Sequence, residues 1–288
     1  MKSKRLICFF FLFPALTLLT IFIIYPSLLT VYYSLCNWDG ITNPKFIGLQ
    51  NYVSLFSQKI FLSAIKNNFI WIIIFVPSVV VIGFFIAILL KNKLIIGRNI
   101  IKSLVFIGMA IPMVVAGILW MFIYDPTAGI LNEFLKQIGL GNLARGWLGD
   151  PDTALYALIF ANIWIWTGFS MILYSAGLEN ISEEINEQAK IDGCSSLQLF
   201  WYITFPMLLP VTTVVIIMSL ITSIKVFDIV YTTTQGGPGF ATEVMAHLMY
   251  YEIFRYWRFG RGCAVAVIFT IIVIFLSAYN IIRMEKTE

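Results

Sequence analysis

The segment Asn180–Pro210, NISEEINEQAKIDGCSSLQLFWYITFPMLLP, decides how this chain is read. It is rich in charge between apolar blocks long enough to cross a membrane. Glu183, Glu184, Glu187 and Asp192 lie inside it, Glu179 stands at its edge, and Lys190 is its one base. Ile181, Ile185 and Ala189 recur every four residues, the spacing of one helical face, while the acids occupy the other faces. Asn180 or Ser182 can cap this first helix, and Asn180 and Glu183 have capping-box spacing. Gly193 follows Asp192 where the chain must turn, and glycine accepts the left-handed conformation that ends helices. Ser195 and Gln198 have the spacing of a second capping box, so a second short helix is expected to about Phe205. Pro206 then suits the first turn of the next apolar helix.

The blocks around this segment set the class. Of 288 residues, 60% are hydrophobic and 12% charged, with a mean hydropathy of +0.89. Soluble domains carry roughly 25% charge, so a membrane protein is the expected class. No Asp, Glu, Lys or Arg occurs in 6–36, 67–90, 103–124, 153–178, 193–224 or 262–282. A bilayer core takes about 20 apolar residues of helix, and a charge at its centre costs roughly 2.5–3.5 kcal/mol. The runs are continuously apolar rather than alternating, which excludes a barrel of strands. The expectation is an all-α polytopic fold of six transmembrane helices, about 6–34, 67–90, 103–124, 154–178, 206–226 and 262–283. They form one membrane domain over 1–288, with 179–205 as a helical loop on the cytosolic side. The first apolar block exceeds a signal-peptide core, and no small-residue cleavage site follows it before Asn37, so it is expected to be retained.

Lys and Arg set the orientation. Lys2, Lys4 and Arg5 precede the first span, and Lys91, Lys93, Arg98 and Lys102 fill the loop after the second. Positive loops stay inside, so both termini and 179–205 are expected in the cytosol. Outside, Gly129–Leu140 places Ile130, Leu131, Phe134, Leu135 and Ile138 on one face of a surface helix. A Gly-Pro turn stands at Gly236–Gly239. Prolines 14, 26, 77, 112, 206 and 210 punctuate the spans. Their freed carbonyls need a neighbour or a wet cavity, although proline is ordinarily frequent in membrane helices.

Other chemistry is thin. Cys8, Cys36, Cys194 and Cys263 have no metal or redox spacing, and His247 is the single histidine, so no metal site, cofactor or catalytic residue is expected. A net charge of +4 does not suggest nucleic acid. The chain has no phosphate-cradling G-x-x-x-x-G-K-[ST] loop. Asn162, Trp166, Ser170 and Tyr174 step by four along the fourth span, which puts aromatic and hydrogen-bonding side chains on one helical face, and they are the candidate substrate path. Polar contacts between helices and aromatic anchoring account for the same pattern. Lys225 and Asp228, three apart near the outer end of the fifth span, are expected to pair with each other.

Glu187, Ala189, Asp192 and Gly193, then Ile203 and Pro206, form E-x-A-x-x-D-G followed by I-x-x-P. This resembles the cytoplasmic EAA loop of ABC importer permeases. Gln188 stands where that family usually has alanine, and Phe205 where leucine is usual. FIGLQNYVSLF, DPTAGILNEFLKQIGL, the stretch from Trp147 to Glu184 and TQGGPGFATEVM look like its sugar-permease branch, of the first-subunit type. The resemblance covers nearly the whole chain and implies a multi-pass subunit of a bacterial cytoplasmic (inner) membrane. It implies a homologous second permease subunit, two ABC ATPase subunits, an external solute-binding protein and a carbohydrate substrate. The loop would dock in an ATPase groove, and ATP chemistry would belong to that partner, not to this chain. The alternative is a channel or secondary transporter that works without an ATPase.

Overall fold

The computed structural model describes residues 2–91 and 95–285. Lys93 and Lys286, and the side chains of Lys2, Lys4, Arg5, Lys190 and Arg283, lie outside what it describes. In chain order the helices are α1 (Lys2–Leu19), α2 (Tyr25–Ser34), α3 (Gln50–Phe56), α4 (Lys59–Lys91), α5 (Arg98–Ala110), α6 (Met113–Ile123), α7 (Ile130–Gln137) and α8 (Ala154–Glu179). They continue as α9 (Glu183–Ile191), α10 (Ser196–Leu199), α11 (Phe205–Met207), α12 (Leu209–Ile224), α13 (Asp228–Thr233), α14 (Met245–Tyr250) and α15 (Phe259–Glu285). Two short antiparallel strands, β1 (Cys36–Asn37) and β2 (Lys45–Phe46), follow α2.

Four described helices are long and apolar enough to cross a membrane: Phe11–Ser34, Lys59–Lys91, Ala154–Glu179 and Leu209–Thr233. A fifth forms if α5 and α6 count as one span, and the described apolar part of α15 is Phe259–Phe275. The expected third span, 103–124, is therefore not straight: its halves meet at 106°. Pro112 is the cause. A proline pushes the residue before it out of the α region, and Ile111 is extended at φ −82°, ψ 131°. Pro112 itself begins α6, its carbonyl accepting from the Ala116 amide.

Two other prolines follow widened helical turns. π-helical turns, Thr20–Ile24 and Phe200–Thr204, end two residues before Pro26 and Pro206. In each, the residue before proline donates one position further back than in an α-helix: Tyr25 to Thr20 and Phe205 to Phe200. A proline ring clashes with the carbonyl four residues back, and the widened turn moves that carbonyl aside.

The chain forms two units. One comprises Met1–Leu62 with Met245–Ala278. Most side chains of its Phe11–Ser34 run are exposed and apolar, as lipid contact requires. Its interior joins apolar side chains such as Leu55, Phe61 and Leu248 to a few buried polar ones. Asn51 donates to the carbonyls of Ser34 and Cys36, both at 2.8 Å. Arg261 meets Glu252 at 3.1 Å and Gln58 at 2.6 Å. Burial pushes the Glu252 carboxyl above the usual carboxylate range, and the nearby Arg261 and Arg258 pull it back. Trp38 stacks on Tyr33 and tilts over Phe259.

The other unit, Ser63–Val244 with Tyr279–Glu288, is built around α8, which is buried on nearly every face. α5 packs chiefly on α8, and α6 on α13. Close approach at the α5–α8 seam depends on glycine: a Cβ on Gly168 would lie 2.7 Å from the Val105 carbonyl oxygen, and one on Gly108 3.2 Å from that of Trp164. Small residues at helix crossings are the membrane solution when no hydrophobic effect drives helices together.

Side-chain amides tie the outer segments of this unit. Asn67 donates to the carbonyls of Ala241 and Glu243, each at 2.9 Å. Asn132, in the middle of α7, is buried instead of the expected apolar face. Its amide donates to the carbonyls of Asp125, Pro126 and Arg145, and its oxygen accepts from Trp147 Nε1 at 2.8 Å. Leu131 and Leu135 turn inward while Ile130, Phe134 and Ile138 remain exposed.

Candidate functional site

The segment between α8 and α12 has the local geometry its residues dictate. Ile181 is buried in the core beneath α8, Ala189 is buried and Ile185 half-buried, so the four-residue stripe is the inward face of α9. Glu183, Glu184, Glu187 and Gln188 are exposed. Exposure of Gln188 gives its extra bulk room within this chain. Gly193 takes φ +79°, and the Cys194 amide donates to the Ala189 carbonyl at 2.9 Å, closing the helix with a six-residue return. Both arms of the second capping box are present: Ser195 N to Gln198 Oε1 at 2.8 Å and Gln198 N to Ser195 Oγ at 3.3 Å. Lys102, near the start of α5, meets Glu179 at the end of α8 at 3.6 Å.

Two residues on this segment escaped the sequence reading. Ile191 is 84% exposed and Leu197 69% exposed, on either side of Gly193. Beside Glu187 and Asp192, they make the tip of the loop acidic and apolar together, a combination that suits a protein partner. The signal in the sequence was that neither residue fits the inward stripe. Of the remaining motif residues, Asp192 is exposed, Ile203 is half-buried in the π-helical turn, and Pro206 is exposed in α11.

Asn162, Trp166, Ser170 and Tyr174 do share one side of α8, and that side faces the packing of their own unit. Asn162, Ser170 and Tyr174 are fully buried and Trp166 is half-buried. Tyr174 donates to Thr212 of α12 at 3.2 Å, and Gly83 of α4 sits directly on Ser170. Both amide atoms of Asn162, the Trp166 indole nitrogen and Ser170 Oγ have no protein partner among the described residues. Buried groups of this kind are ordinarily served by ordered water.

Lys225 and Asp228 do not pair. Both are exposed, and no ion pair joins them among the described residues. Three-residue spacing brings side chains together only within one helix, but α12 ends at Ile224 and Phe227, at φ −142°, starts a new one. Among the described residues, no group of three or more His, Cys, Asp or Glu could hold a metal ion.

This geometry has known relatives. A bacterial ABC transporter for import of the acidic polysaccharide alginate has a chain that superposes with a TM-score of 0.79 over 96% of each chain, at 23% identity. That likeness speaks for the fold. A probable ABC transporter permease protein of Pyrococcus horikoshii is 40% identical, over 93% of this chain and 94% of its own. The alpha-glucoside transport system permease protein of Rhizobium meliloti is 37% identical, over 94% and 80%. The lactose transport system permease protein of Rhizobium radiobacter is 34% identical, over 93% and 90%. Residues 79–284 match the family described as the inner membrane component of binding-protein-dependent transport systems, and to that family this chain belongs.

Proposed function

We propose that this chain is a pore-forming permease subunit of an ATP-driven importer that carries a carbohydrate across a bacterial cytoplasmic membrane. Family membership and the sugar-transport relatives support the reading. A homologous second permease subunit completes the pore. Two ABC ATPase subunits hydrolyse ATP, and an external solute-binding protein delivers the sugar. The observation that carries the coupling role is α9. Its stripe of Ala189 and Ile185 is turned inward, while Glu187, Ile191, Asp192 and Leu197 are exposed. A loop that is acidic on the side where loops are ordinarily basic calls for an ATPase groove bearing Lys or Arg. Glu187, Ala189, Asp192, Gly193, Ile203 and Pro206 are the residues assigned to this joint.

The substrate path is assigned to the polar side of α8 at Asn162, Trp166, Ser170 and Tyr174. The buried, unpartnered atoms of Asn162, Trp166 and Ser170 are groups that a helix rearrangement during transport would bring to a passing sugar or to water. Purification in mild detergent tests the whole reading. The chain should be recovered with an ATPase partner and take up sugar only with it. Uptake by the chain alone in vesicles would reject the proposal.

A further inference from the structure

Outside the coupling segment and the polar side of α8, the unit carries an apolar groove of about 340 Å³ between α4, α5 and α8. Ile163 and Thr167 form its buried floor, and Ile82, Leu104, Phe160 and Trp164 its exposed lips. On its floor the Thr167 hydroxyl is already engaged, since Oγ1 donates to the Ile163 carbonyl at 2.7 Å. A sugar would lose its hydrogen bonds there, at a cost of a few kcal/mol for each unpaired group. A packed helix is about 10 Å across, so the groove holds less than about one helical turn. A single flexible hydrocarbon chain fits both the lining and the volume.

Charge at one end narrows the occupant. Arg98, Ile101 and Val105 fall at i, i+3 and i+7 on α5, so Arg98 stands one turn beyond the groove lining. No acidic partner reaches Arg98 among the described residues. Lys102 adds a second cation beside it, shared with Glu179, and Lys91 closes α4 at the same end. The Lys and Arg bias assigns this end to the cytosol. We propose that the groove binds one acyl chain of an anionic phospholipid from the cytosolic leaflet, with its phosphate at Arg98. Basic groups at the cytosolic mouth of a pocket between helices suit such headgroups, at about 1 kcal/mol per cation, or about fivefold in affinity.

The test uses the chain purified with its partner subunits and returned to vesicles that hold a trace of phosphatidylglycerol with a diazirine in its acyl chain. After illumination, the labelled peptides should contain Leu104 and Phe160–Trp164. Unlabelled phosphatidylglycerol should displace the probe about fivefold better than phosphatidylcholine. Arg98→Gln should abolish that preference, and Arg98→Lys should keep it. Leu104→Trp, which fills the groove from an exposed lip, should cut labelling of Phe160–Trp164 at least fivefold. Labelling no stronger than on the exposed Phe11–Ile24 stretch, or equal displacement by both lipids, would overturn the proposal. So would a photo-crosslinker at residue 104 that joins a second protein chain, because the groove would then be a subunit interface.

Discussion

Gly168→Val tests the seam on which the α8-centred unit is built. A Cβ at residue 168 lies 2.7 Å from the Val105 oxygen and 3.0 Å from Phe106 Cα. Ordinary contact begins near 3.4 Å, so α5 must withdraw by about 0.7 Å. A gap of that size forfeits a quarter to a half of the dispersion well for every pair it separates. Overpacking of this kind costs about 1–3 kcal/mol. Alanine would recover about 1 kcal/mol of it through helix propensity, leaving a net loss of about 0–2 kcal/mol. Valine recovers only a few tenths and brings two further methyl groups, so at least about 2 kcal/mol should be lost, roughly a thirtyfold change in the unfolding equilibrium. Gly149→Ala is the control, because its Cβ would meet nothing closer than 3.7 Å. Unfolding of the purified chain in mixed detergent micelles measures both. If Gly168→Val unfolds within about 0.5 kcal/mol of the control, the α5–α8 contact is not the close crossing described here.

Three further substitutions separate other parts of the account. Arg261→Gln leaves Glu252 buried without its partner, a loss of about 3–5 kcal/mol while the carboxyl is ionised. Burial has already raised the folded-state pKa of Glu252, and losing Arg261 raises it further. A raised carboxyl favours the folded state at low pH and loses that advantage as pH rises through the raised value. The deficit should therefore be large at pH 8 and shrink towards pH 5, and equal deficits in thermal unfolding at the two pH values would refute it. Asn132→Leu strips partners from the Arg145 and Trp147 donors and from three carbonyls, at about 1–3 kcal/mol for each buried group left unpaired. Hydrogen exchange should quicken across 125–150 and not elsewhere, and unchanged protection there would show that Asn132 is not the hub. Gly193→Val costs about 1–2 kcal/mol through its left-handed backbone alone, because the space beside it is open. ATP-driven uptake should fail with valine and survive Gly193→Asn, and normal uptake with valine would remove any need for that turn.

The apolar helices were legible because one rule governs them: a charge is too costly at the bilayer centre, and among the described residues four helices, or five with the bent pair, are long and apolar enough to cross. The same rule misplaced an edge. α4 begins at Lys59 rather than near 67 because Lys59 and Lys66 sit on helical turns that precede the apolar core. The segment between α8 and α12 was legible in its second capping box and in the turn at Gly193, since capping and left-handed turns depend on neighbours within five residues. The bend at Pro112 was not, because Pro77 lies inside α4 without breaking it, and only tertiary packing distinguishes the two. Nor could a four-residue step say which way Asn162 and Ser170 face. Periodicity groups residues on one side of a helix, but α8 is packed nearly all round. Lys225 and Asp228 failed for a local reason, the helix break at Phe227 that their spacing ignored.

The coupling claim is tested most directly by Glu187→Lys in the assembled importer, reconstituted in vesicles with its ATPase subunits and sugar-loaded binding protein. Glu187 is exposed on α9, so insertion and expression should match wild type. The account predicts that the loaded binding protein stimulates ATP hydrolysis in the wild type and no longer does so in the variant, with uptake lost in parallel. Wild-type stimulation and uptake in Glu187→Lys would contradict it.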